Sequence, residues 1–128
     1  MEIRYEKTTD KSFEEAITSI TEALKERKFG VLWQLNFKEK MSEHGIDFPH
    51  NFAVLEVCNP QKANEVLTKH LDMGYFLPCK VVVYEKDGIT RIGTAKPKVL
   101  MSMAGYDDLE HIAIEVEEIF KDAIDNAV

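Results

Sequence analysis

The chain should fold as one α+β domain, with a mostly antiparallel sheet in the order β-α-β-β-α-β-β-α and helices packed on one face. Three observations predict it. The 128 residues, 45% of them hydrophobic, suffice for one core and leave no length for a second. The spacing of apolar residues switches repeatedly between the strand period and the helix period. Asp87-Gly88 separates two β runs, a strong two-residue hairpin signal because both central positions need positive φ. Consecutive strands mixed with helices favour an antiparallel sheet over a parallel one.

The elements follow in order. Ile3 and Tyr5 alternate with Glu2, Arg4 and Glu6, as in a strand with one wet face. Ser12 and Glu15 form a capping box, and Phe13, Ala16, Ile17, Ile20 and Leu24 recur at helical spacing toward an end near Phe29-Gly30. In the second strand, Val31, Trp33, Leu35 and Phe37 fall on one face and Leu32, Gln34 and Asn36 on the other. Lys38 to His50 reads as a connection with room for a short helical turn before Gly45.

The third strand, Phe52 to Val57, points Ala53, Leu55 and Val57 one way and Phe52, Val54, Glu56 and then Cys58 the other. Asn59 can cap a helix that Pro60 opens, with Ala63, Val66, Leu67 and Leu71 as its apolar stripe and Gly74 as its end. Val81–Glu85 and Ile89–Ala95 form the hairpin. Pairing Lys86 with Ile89 places Val83 opposite Ile92, and Tyr84 opposite Arg91 as a surface pair. Pro97 begins a Met-rich turn over Val99–Met103. Asp107 or Asp108 should cap a last helix carrying Leu109, Ile112, Val116, Ile119, Phe120 and Ala123 along one side. Phe52, Val54, Val82 and Tyr84 would leave the second sheet face apolar, so a symmetric partner subunit or an apolar ligand groove should cover it.

Composition narrows the function classes. With 23 acidic against 16 basic residues, the net charge of −7 opposes nonspecific binding to a phosphate backbone, so nucleic acid is not an expected partner. No apolar run is long enough to cross a bilayer, and the N-terminus lacks the basic head and apolar core of a signal peptide, so a cytoplasmic protein without membrane contact is expected. Two cysteines are too few for a secreted disulfide scaffold and default to thiols.

Cys58-Asn59-Pro60, then Ala63, Leu67 and Gly74, then Leu77-Pro78-Cys79 with Val81, Val83, Tyr84 and Glu85 resemble the family catalogued as domain of unknown function 302. Phe29-Gly30-Val31-Leu32, Gly45-Ile46-Asp47-Phe48 and Pro97 resemble its flanking segments, so the likeness spans nearly the whole chain. The resemblance implies a small α+β domain with a curved antiparallel sheet of the TATA-binding-protein-like shape, often dimeric and without established activity. The chain departs from the family's usual glycine at Lys28, which removes a helix-ending signal, and from its usual acid at Lys96.

The candidate site is the pair of strand junctions bearing Cys58 and Cys79. A parallel crossover through the Pro60 helix would put the thiols at opposite sheet ends, whereas a returning loop would bring them together across a cleft beside Glu56. Asn59-Pro60 caps a helix and offers N–H groups to an anion. His44, His50 and His70, with Glu43, Asp47 and Glu56, have the chemistry for zinc, but their spacing matches no ligand motif, and His44, His50 and His111 read as solvated; no metal is expected. Ser12 reads as a cap, and Ser42 and Ser102 lack an evident base. Trp33, Met101 and Met103 read as packing. The expectation is a homodimer that binds a small molecule through Glu56, Cys58, Asn59 and Cys79 without catalysis. The alternatives are a cysteine-dependent thiol or sulfur-handling enzyme or carrier, and a structural interaction module. No cofactor is identifiable.

Overall fold

The computed structural model describes residues 2–128. Five antiparallel strands, β1 (Arg4–Thr9), β2 (Gly30–Asn36), β3 (Phe52–Cys58), β4 (Cys79–Lys86) and β5 (Ile89–Ala95), form one sheet in the order β1-β5-β4-β3-β2. The α+β architecture is the expected one. The hairpin register is also as expected, with Lys86 opposite Ile89, Val83 opposite Ile92 and Tyr84 opposite Arg91, and both turn residues, Asp87 and Gly88, have positive φ.

On one sheet face, Ala53, Leu55, Val57, Val81, Val83 and Ile92 are fully buried. Helices α1 (Phe13–Glu26) and α5 (Glu110–Ala127) seal it with Ile20, Leu24, Phe120 and Ile124, and Phe29 packs edge-on against Phe120 at 4.9 Å between ring centres. The Ser12–Glu15 capping box starts α1, each backbone N–H donating to the other's side chain. Its end is a Schellman turn: Phe29 N–H donates to Leu24 C=O and Lys28 N–H to Lys25 C=O. Lys28 holds the left-handed conformation there at φ 67°, so the helix ends without the family's glycine.

Five local expectations change. The second strand does not alternate throughout, because a bulge between Val31 and Trp33 pairs Val31 with Val57 but Trp33 with Glu56, turning the two to opposite faces. Phe37 starts a helix, α2 (Phe37–Glu43), whose N-cap is Asn36. The helix after Cys58, α3 (Pro60–Lys69), stops before Leu71 and Gly74; both lie in a following 3-10 segment, Leu71–Tyr75, where Leu71 is 83% exposed. The Met-rich turn is a helix, α4 (Pro97–Met103), and neither Asp107 nor Asp108 caps α5. Asp108 bonds His70 instead.

The opposite sheet face is open. Phe37, Phe52 and Tyr84 form a row of rings 5.4 and 5.6 Å apart, extended by the Arg91 guanidinium at 5.8 Å from Tyr84, while the Tyr84 hydroxyl donates to Glu6. Beyond this row Val54 and Val82 stay half-buried, and Trp33 is 51% exposed beside Leu32 at 64%.

Candidate functional site

β3 and β4 are antiparallel neighbours, so the segment that leaves β3 through α3 returns to the same end of the sheet. Cys79 stands opposite Val57, one diagonal step from Cys58, and both thiols are free. The returning loop, the second of the two topologies open to the sequence, is the one adopted.

At this junction lies a cavity of about 250 Å³ bordered by Cys58, Asn59 and Cys79. Its walls are apolar: Val66 of α3, Met73 and Phe76 around the 3-10 segment, Leu100 and Met101 of α4, and Ile112 and Val116 of α5. Tyr75 and Lys80, both exposed, belong to its rim. Glu56 is set apart from the other three. It does not border the cavity, and its carboxylate lies on the open face, 3.7 Å from the Lys80 ammonium.

Asn59 is buried, and its Oδ1 accepts from the N–H groups of Gln61 and Lys62 at 3.0 and 3.1 Å. Its own C=O accepts from Ala63 N–H at 2.9 Å. Pro60 has no N–H, so the first turn of α3 keeps no donor for an anion, contrary to the expectation from sequence. The two lysines near the cavity are also engaged, Lys62 with Glu115 and Lys80 with Glu56. Burial, and secondarily the neighbouring Cys58, push the Cys79 thiol up to about 11, which leaves it protonated and a poor nucleophile near neutral pH.

Polar contacts hold the walls. The buried Glu117 carboxylate of α5 accepts from Lys98 N–H at 3.1 Å, capping α4 where Lys96 supplies no side-chain bond. His70, at the end of α3, bonds both Asp108 oxygens at 2.9 and 3.1 Å and stacks on Tyr106 at 3.6 Å, while the Tyr106 hydroxyl donates to Asp72. This clasp joins the segment after α3 to the segment before α5. It holds the Asp108 carboxyl below its usual range through the His70 hydrogen bond and raises Tyr106 through Asp72. Among the described residues no group of three His, Cys, Asp or Glu side chains converges as a metal site; His44 ends α2 and His50 packs on Phe48. Ser102 Oγ donates to Val99 C=O, a local helix bond.

The sequence pattern of the family described as "Domain of unknown function DUF302" matches residues 5–127. The chain belongs to this family. The crystal structure of an uncharacterized conserved DUF302 protein from Bacillus stearothermophilus is 41% identical to it, covers 100% of both chains and superposes with a TM-score of 0.96. No curated protein matches the chain. Membership in DUF302 therefore carries a fold but no activity, and the chemistry must be argued from the cavity. No helix among the described residues is long and apolar enough to cross a membrane.

Proposed function

We propose that this DUF302 protein is a noncatalytic, cytoplasmic homodimer that binds a small, mainly apolar molecule in the cavity beside Cys58, Asn59 and Cys79. The observation that carries the reading is the cavity itself, about 250 Å³ walled by aliphatic, aromatic and thioether side chains with few polar groups, the usual composition of a small-molecule pocket. The two free thiols fit a reducing compartment. The dimer reading rests on the open face, whose half-buried Val54, Val82 and Phe52 are bordered by charges of both signs, Glu6 and Glu56 against Arg4, Lys80 and Arg91. Such a border suits a second copy of the same face.

The binding test uses the neutral dye aminoanthracene, whose emission rises in an apolar site. Wild-type protein should bind it, and Ala63→Trp, which fills the cavity from α3, should not. Failure of the wild type to bind, or equal binding by the variant, would overturn the reading.

A second reading, thiol or sulfur handling, is favoured by one observation, that Cys58 and Cys79 border one cavity. It requires at least one to react with iodoacetamide faster than a free thiol near neutral pH. Slow reaction at both ends it, and the raised Cys79 already points that way for one of them.

A further inference from the structure

Asn59 is 8% exposed and lines the cavity, and its two hydrogen-bonding ends are used unequally. Oδ1 accepts two backbone N–H bonds, which fixes the flip of the amide, since only the oxygen can receive them. Nδ2 donates to no protein atom among the described residues. It is not sealed in either, because no fully enclosed side-chain nitrogen or oxygen there lacks a partner. Asn59 thus borders the cavity and carries a solvent-accessible N–H pair with no acceptor from the protein. A ligand oxygen can take the bond that this N–H otherwise gives to solvent.

The geometry points to a neutral ligand of roughly ten non-hydrogen atoms carrying a carbonyl or ether oxygen, with its hydrocarbon body in the cavity and its oxygen accepting from Asn59 Nδ2. This rests on the cavity reading proposed above and adds the ligand's chemical class. Size follows from volume: an apolar cavity of about 150 Å³ takes benzene, so one of about 250 Å³ takes a body somewhat under twice that. Neutrality follows from what surrounds it. Lys62 and Lys80 are each paired with a glutamate, and the N–H groups of Gln61, Lys62 and Ala63 are all bonded to Asn59. A carboxylate or phosphate brought here would lose its water and find no free cation to replace it.

The test compares three probes by calorimetry on the full chain: menthone, a cyclic ketone; menthane, its hydrocarbon skeleton; and cyclohexylbutyrate, a carboxylate of similar size. Menthone should bind roughly tenfold tighter than menthane, the worth of one good hydrogen bond, cyclohexylbutyrate should be weakest, and menthone should shift the Asn59 side-chain amide resonances. Asn59→Asp keeps the helix cap and removes the donor; it should abolish the preference for menthone over menthane. Asn59→Gly, tolerated at an N-cap and without any side-chain donor, serves if the buried carboxylate prevents folding.

Equal affinity for menthone and menthane, or a preference that survives both variants, would overturn the ligand class and leave the cavity reading standing. Tightest binding by cyclohexylbutyrate would overturn neutrality. Failure of all three probes would overturn the cavity reading, and the ligand class with it.

Discussion

The two faces of the sheet are cut from the same strands, one residue out of phase, yet they end in different states. Leu55 is fully buried beneath α1 and α5, whereas its neighbour Val54 is half-buried on the open face. The covered face is closed by helices the chain itself provides. The open face meets α2, through Phe37 on Phe52. Hydrophobicity alone does not distinguish the faces, since both carry valines and aromatic rings; the helices that pack on them do.

The largest expected effect tests that contrast. Leu55→Ala should lower unfolding free energy by about 3 kcal/mol, whereas Val54→Ala should lower it by under about 1 kcal/mol, both read from urea denaturation. Equal losses would erase the distinction between the faces. Val54→Asp probes the open face differently: sedimentation equilibrium at high micromolar concentration should move from dimer to monomer mass. A wild type that already sediments as a monomer would refute the homodimer.

A smaller effect belongs to the helical layer. Lys28 sits at φ 67°, where a side chain costs about 1 kcal/mol relative to glycine, so Lys28→Gly should raise stability by about that amount in the same denaturation assay. A loss instead would show that the lysine side chain contributes more than its backbone strain. The smallest effect is at alkaline pH. The Tyr5 hydroxyl donates to Asp125 of α5, and that bond raises its pKa from 10.0 to about 12. A raised pKa stabilises the fold fully below pH 10 and loses that contribution as pH climbs toward about 12. Tyr5→Phe should flatten this part of the stability profile, and an unchanged slope would remove the Tyr5–Asp125 bond from the account.

What the sequence made legible was local. Ser12 with Glu15, Asn59 with Pro60, and Asp87 with Gly88 each specify a backbone conformation within four residues, and each is found. The alternation through β3 also held, because both its neighbours are strands. β2 carries no glycine at its bulge to announce it, and as an edge strand it has only one neighbour to keep its phase. The cavity could be placed near Cys58, Asn59 and Cys79 but not walled, since Met101 and Val116 reach it through the packing of α4 on α5. The His70–Asp108 bond joins residues 38 positions apart. A histidine in a polar segment and an aspartate before a helix each had a sufficient local explanation, and no spacing rule connects them.

The bulge in β2 has a consequence for how copies of this chain can meet. A five-stranded sheet leaves two outer strands with unpaired backbone groups, the usual template for strand-by-strand growth into filaments. Here the irregularity at Val31–Trp33 breaks the run of one outer strand, and Arg4, Glu6 and Lys7 charge the other. Lateral polymerisation is thereby disfavoured at both borders, so exposed apolar surface can be retained for a chosen contact without inviting fibrous assembly.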